Sequence, residues 1–125
     1  MLISELIGGE TITCSPDATV REAARLMVQN EAGSIAVVSD GDLVGIVTER
    51  DLVRLMAGDL NLKEHVGSVM TPSPDSLDPD VEVSYAADWM LAAGYRHLPV
   101  LEDGRLVGIV SIKDVLWAVT QGRNV

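Results

Sequence analysis

The chain has no Phe, and aromatic residues fill only 3% of its 125 positions. Its core must therefore be built from Val, Leu, Ile, Ala and Met. Cysteine is almost absent too: Cys14 alone cannot close an internal disulfide, and nothing else points to an oxidising compartment. Long apolar runs are missing, since none approaches the roughly 20 residues of a membrane span. The start Met1-Leu2-Ile3-Ser4-Glu5 has no basic region leading into an apolar stretch. A cytoplasmic protein with no membrane partner is expected. Positive charge is scarce as well, with nine Lys and Arg against nineteen Asp and Glu, a net charge of −10. That balance argues against nucleic acid, because phosphate neutralisation needs clustered cations.

The motifs of common enzymes are also lacking. There is no phosphate loop ending in Gly-Lys-Ser/Thr, no dinucleotide-type glycine fingerprint and no Cys/His cluster at metal spacing. The two histidines, His65 and His97, lie far apart in sequence. No nucleophile–base pair stands out, so the chain is not expected to be an enzyme or to require a cofactor or a metal.

What the chain does have is a repeat. Gly41-Asp42-Leu43-Val44-Gly45-Ile46-Val47-Thr48-Glu49-Arg50-Asp51 returns as Gly104-Arg105-Leu106-Val107-Gly108-Ile109-Val110-Ser111-Ile112-Lys113-Asp114, sixty-three residues later. Laying residues 13–57 on 76–120 without gaps gives fifteen identities in forty-five positions, which marks an internal duplication. Half of the chain would hide too little surface to be robust alone. The two halves, 1–60 and 61–125, are therefore expected to form one compact module about a pseudo-twofold axis, with two equivalent clefts between them.

Each half reads β-α-β-β-α, an α/β fold with mixed sheets. In the first, Glu10 to Cys14 suits a short entry strand. Thr19 with Glu22 forms a capping box, and Val20, Ala23, Ala24 and Met27 recur at helical spacing. Gly33 is expected to end that helix. Ile35-Ala36-Val37-Val38 is a continuous apolar strand, and Asp40-Gly41 predicts a two-residue hairpin turn into Leu43 to Val47, because both central positions need positive φ. Thr48 to Asp51 opens a second helix whose apolar face is Leu52, Val53, Leu55 and Met56. Gly58 to Gly67 reads as a linker, and Met70 to Pro74 as the extended entry of the second copy. There Val83, Ala86, Ala87 and Met90 repeat the helix stripe, Gly94 closes it, and Asp103-Gly104 repeats the turn. Met27, Met56 and Met90 are expected in the core. Trp89 and Trp117 suit either core or a dimer surface, and Cys14 is expected to be inert.

The apolar strand, Asp-Gly turn and Gly-Ile-Val-Thr/Ser-x-x-Asp, with Arg96-His97-Leu98-Pro99-Val100 ahead of the second copy, resemble the CBS domain. This domain is usually found as a tandem pair, and the likeness runs from about Leu2 to Thr120. The resemblance implies a regulatory module that binds adenosine-type ligands (AMP, ADP, ATP or S-adenosylmethionine) in clefts between the paired repeats. It implies Asp51 and Asp114 as acceptors of ribose hydroxyls, and Thr48 and Ser111 as phosphate donors assisted by Arg50 and Lys113. Arg96 and His97 stand where the family places phosphate-contacting basic residues. Thr13, Thr71 and Pro72 in the entry segments, and the strand starts Ser34-Ile35 and His97-Leu98-Pro99, would cradle the adenine. The family also implies a homodimer. An effector protein, unnamed by the sequence, would receive the signal.

The chemistry of the corner residues agrees. A carboxylate offers two acceptor oxygens to the two donors of a vicinal diol. A helix N-terminus beside it offers free N–H groups and a positive dipole end for phosphate. Thr48-x-x-Asp51 and Ser111-x-x-Asp114 are equally ordinary helix caps, which would serve a module acting by dimerisation alone. The first copy departs from the family pattern: Gly33-Ser34 replaces Arg96-His97, and Glu49 sits where it would repel phosphate. The two clefts are therefore expected to differ, with one occupied at most, and by a mononucleotide more readily than a triphosphate. Which aspartate serves the better one is left open at this level.

Overall fold

The computed structural model describes residues 1–9, 11–59 and 61–123. Two compact units emerge, one made of residues Thr11–Pro74 and the other of Met1–Glu10 together with Asp75–Val125. In the unit of residues 11–74, the strands are β1 (Thr13–Cys14), β2 (Ser34–Ser39), β3 (Asp42–Thr48) and β4 (Thr71–Pro72). They form one sheet in the order β1-β2-β3-β4, with helices α1 (Val20–Gln29) and α2 (Glu49–Ala57). The other unit carries α3 (Val83–Ala93), the hairpin β5 (His97–Glu102) and β6 (Arg105–Ser111), and α4 (Ile112–Arg123). The architecture is mixed α/β, as expected.

Local chemistry explains most of these elements. Asp40 and Gly41 have φ of 51° and 83°, and Asp103 and Gly104 have 50° and 81°. These are the left-handed pairs that a two-residue turn requires to match strand twist. In each hairpin the register slips once, between Val37 and Val38 and between Val100 and Leu101, so one residue bulges at the same place in both copies. Strand β2 lies between β1 and β3, and Ile35, Ala36 and Val37 are fully buried. At the start of α1, Thr19 accepts from the Glu22 amide at 3.1 Å while the Glu22 carboxylate accepts from the Thr19 amide at 3.3 Å. Gly94 ends α3 in the left-handed conformation.

Several expectations are corrected. Helix α1 ends earlier than Gly33: Asn30 is its C-cap, its amide and side chain both donating to Leu26 O, and Glu31 takes the left-handed turn at φ 50°. An Asn side chain can bond to the last carbonyls, which a glycine cannot, and this closes the helix before the glycine is reached. The stretch from Leu62 to Gly67 is no mere linker, because Val66 is fully buried and its amide donates to Ala18 O. Leu60 and Glu10, within the expected linker and entry strand, lie outside the described residues. Thr71-Pro72 is the edge strand beside β3 (Gly45 opposite Pro72, Ile46 opposite Thr71) and not an entry to the second copy. That copy's first strand shrinks to a single parallel bridge, Leu77 to Val100, the counterpart of Cys14 to Val37. Met56 is 71% exposed and no residue of α2 is buried, whereas Met27 and Met90 are in the core.

The compact units also cut the chain differently from the sequence halves. Ile3 donates its amide to Val81 O at 2.8 Å, Ser4 to Pro79 O at 2.9 Å, and Val83 to Met1 O at 3.0 Å. Sixty-three residues on, Val66 donates to Ala18 O at 2.8 Å and Gly67 to Pro16 O at 2.9 Å. Each copy's leading arm thus belongs to the unit that holds the other copy's hairpin. Ile3 is fully buried among Leu77, Val83, Met90, Leu98, Val110 and Val115, while Val66 fills the matching place among Ala23, Met27, Ile35 and Val47.

Candidate functional site

Each unit presents one corner where a hairpin strand runs into a helix. At the end of β3, Thr48 lies opposite Ser34, and its amide donates to Asp51 Oδ2 at 2.9 Å. The Asp51 amide returns a bond to Thr48 Oγ1 at 3.2 Å, and the Glu49 amide donates to Gly33 O at 2.9 Å. Arg54, one turn later, places Nη1 4.0 Å from Asp51 Oδ1; the two side chains are 71% and 19% exposed. Ser34 is buried, and Glu49 and Arg50 are exposed. Thr13 pairs with Ala36 and Thr71 with Ile46, each two residues from the corner along its strand partner.

The second corner has the same frame and different side chains. Ser111 lies opposite His97, Ser111 Oγ accepts from the Asp114 amide at 3.2 Å, and the Ile112 amide donates to Arg96 O at 2.8 Å. Arg96, Lys113 and Asp114 are exposed and His97 is half-buried. Among the described residues, no hydrogen bond or ion pair engages the Asp114 carboxylate. The capping box is therefore reciprocal at Asp51 and one-sided at Asp114.

The structure gathers the expected site residues into two sets. Thr13, Ser34, Ile35, Thr48, Arg50, Asp51, Thr71 and Pro72 fall in the unit of residues 11–74, while Arg96, His97, Leu98, Pro99, Ser111, Lys113 and Asp114 fall in the other. Ile35, Leu98 and Pro99 are fully buried and present almost no surface at either corner. Two features escaped the sequence reading. Arg54 stands three residues after Asp51, a spacing that signals a helical ion pair. Ile7 and Met70 pack on Gly108 and Gly45, a correspondence visible only if the sixty-three-residue offset is carried upstream to the arms.

Elsewhere the titratable groups give little chemistry. Burial, with Glu22 adding repulsion, pushes the Cys14 thiol above its ordinary 9.0, which keeps it protonated and inert. Tyr95 donates to the Asp75 carboxylate, and that bond is the main cause holding its phenol above 10.0. The Tyr95 ring meets Trp89 edge to face at 5.6 Å. Among the described residues no group of His, Cys, Asp and Glu could hold a metal ion, and no helix is long and apolar enough to cross a membrane.

With the two corners described, the comparison with known proteins becomes specific. The family model described as the CBS domain matches residues 3–58 and again 66–121. This chain belongs to the CBS-domain family. A CBS domain-containing protein of Bacillus subtilis, YhcV, is 34% identical over 123 residues, covering 98% of this chain and 86% of that one. The solved CBS domain protein PAE2072 from Pyrobaculum aerophilum, complexed with AMP, superposes with a TM-score of 0.86 at 27% identity, covering 97% of this chain and 99% of that one. The CBS domain pair of protein MJ0100, in complex with 5′-methylthioadenosine and S-adenosyl-L-methionine, gives a TM-score of 0.87 at 26% identity, covering 98% of each chain. The chain spans only 22% of an inosine-5′-monophosphate dehydrogenase of Methanocaldococcus jannaschii that also matches. These two solved neighbours thus hold AMP in one case and S-adenosylmethionine-related molecules in the other.

Proposed function

We propose that this CBS pair is a regulatory module that binds an adenine nucleotide, AMP-like in size, and passes the signal to a partner protein by binding and not by turnover. The observation that carries the reading is a strand-to-helix corner with a hydroxyl at the cap and a carboxylate one turn in, on the fold of pairs solved with AMP. A carboxylate matches the paired donors of a ribose diol, and the helix N-terminus beside it suits phosphate. The net charge of −10 disfavours a triphosphate more than a monophosphate. S-adenosylmethionine, which carries no phosphate, is the alternative ligand. The reading extends to a homodimer in the cytoplasm that acts through an effector protein.

A second reading, docking or dimerisation without ligand, is favoured by the apolar side chains left exposed on two helices. Val53 and Met56 on α2 are 64% and 71% exposed, and Trp117 on α4 is 57% exposed.

A thermal-shift panel separates the two. AMP, ADP, ATP, GMP, 5′-methylthioadenosine and S-adenosylmethionine are tested at millimolar concentration. A ligand at 100 times its Kd adds about 2.7 kcal/mol, which raises the midpoint of a domain this size by roughly 8–16 °C. A shift with adenine ligands and none with GMP is the expected result. A folded protein silent to every adenine ligand would remove the nucleotide reading and leave the docking module.

A further inference from the structure

Among the described residues nine large apolar side chains stand exposed, and seven of them lie on the four helices. Val28 on α1 is 78% exposed, Tyr85 and Leu91 on α3 are 65% and 61%, and Leu116 joins Trp117 on α4. Helix α2 is the least covered. Leu52, Val53, Leu55 and Met56 make up nearly half of its nine residues, yet none of them is buried. Apolar side chains gathered on helix faces in this way mark a surface that another surface covers.

The charges on those faces say which surface. The sixty-three-residue offset lays α1 on α3 and α2 on α4, so each exposed position has a twin. Val28 becomes Leu91 and Val53 becomes Leu116, apolar in both copies. Arg25, however, becomes Asp88, and Arg54 becomes Trp117, and all four side chains are exposed. Neither Arg25 nor Asp88 enters an ion pair among the described residues. Arg54 approaches Asp51 only to 4.0 Å with 71% of its side chain exposed, which leaves its guanidinium plane open. The exposed charges of α1 and α2 are Arg21, Arg25, Arg50 and Arg54 against Glu22 and Glu49, a balance of +2. Those of α3 and α4 over residues 83–121 are Lys113 against Asp88 and Asp114, a balance of −1. In a chain of net charge −10, a cationic helix face stands out. The two faces complement each other and not themselves.

We infer that α1 and α2 of one copy pack against α3 and α4 of a second copy, a head-to-tail homodimer in which twin positions face each other. Arg25 pairs with Asp88 of the partner subunit, and Trp117 of the partner subunit lies over the Arg54 guanidinium, a cation–π contact. Val28 and Val53 meet apolar twins. Head-to-head pairing would instead set Arg25 against Arg25 and Asp88 against Asp88, and like charges facing each other weaken an interface. The inference rests on the homodimer part of the reading above and adds which faces meet; it does not depend on a bound nucleotide.

Sedimentation velocity of the full chain over a concentration series tests this, with Arg25→Asp, Asp88→Arg, Trp117→Arg and a double variant carrying the first two. Circular dichroism checks folding, which changes at exposed helix positions should leave intact. Each single variant sets like charges against each other and should weaken the dimer at least about tenfold. The double variant restores opposite charges only in a head-to-tail pair, and there it should return to within about threefold of the unaltered chain. Single variants that dimerise like the unaltered chain would overturn the pairing, as would a double variant no stronger than its two singles. An unaltered chain that stays monomeric at about millimolar concentration would overturn the homodimer itself and leave these faces to a different protein. That outcome is distinct from a wrong orientation, which leaves the dimer in place.

Discussion

Replacing Ile3 with Ala will destabilise the unit of residues 75–123 by about 2–5 kcal/mol, the range for emptying a large buried aliphatic site. Ile3→Asp will cost more, because it leaves an unpaired charge in an apolar interior. Ile3 has no exposed surface, and it packs with Leu77, Met90, Leu98 and Val115, all from the second repeat. Its amide and that of Ser4 are spent on Val81 and Pro79. Against a typical total stability of about 5–15 kcal/mol, the Asp variant should leave that unit largely unfolded. Hydrogen exchange checks where the damage falls. Amides of α3, β5, β6 and α4 should lose protection first in Ile3→Ala, and those of α1, β2 and β3 should do so in Val66→Ala. Protection lost first in α1 and β2 on substituting Ile3 would mean that the arm serves its own copy.

The second large effect concerns the glycine in each Gly-Ile-Val. A Cβ built on Gly108 would meet Ile7 Cγ2 at 2.5 Å and Ile7 Cβ at 3.0 Å. Ile is branched at that carbon and cannot fold its side chain away, so Gly108→Ala should cost about 1–3 kcal/mol, as overpacking does. Adding Ile7→Gly, which removes Cγ2 and Cβ alike, should return part of that loss, because those atoms compete with the new Cβ for one space. A coupling of about 0.5–3 kcal/mol is expected in a double-mutant cycle by chemical denaturation. The Gly45 case differs in kind: its Cβ would press on the flexible Met70 side chain and also on the Thr71 carbonyl at 3.0 Å. Trimming Met70 therefore leaves the backbone clash, and Met70→Ala should rescue Gly45→Ala less well. Equal rescue in both, or none at Gly108, would contradict this packing.

These two cases mark the boundary of what the chain discloses on reading. The Asp-Gly turns and the Thr19–Glu22 and Thr48–Asp51 boxes are legible because their causes lie within four residues: a φ sign, or a side chain reaching its own helix start. The duplication made the mixed α/β repeat legible as well. Partners far apart in sequence left no such mark. Nothing in Ile3-Ser4 announces Val81 and Pro79: the repeats divide near residue 60, yet each leading arm packs with the other copy's hairpin. Met56 reads as core because its spacing suits an apolar face, yet α2 buries none of its residues, so the helix has apolar side chains on more than one side. For the candidate site, residue types were legible and their engagement was not. Both motifs read as hydroxyl-x-x-Asp, but only coordinates reveal that Asp51 is closed on Thr48 and near Arg54 while Asp114 stands open.

The central claim is that one corner of this CBS pair holds a mononucleotide. Its most direct test is backbone-amide chemical-shift mapping of the full chain titrated with AMP. The account predicts saturable shifts at a strand-to-helix corner, at Ser111 to Asp114 with Arg96 and His97 or at Thr48 to Asp51 with Gly33 and Ser34. Shifts confined to the exposed helix faces around Val53, Met56 and Trp117, or none at millimolar AMP, would contradict it.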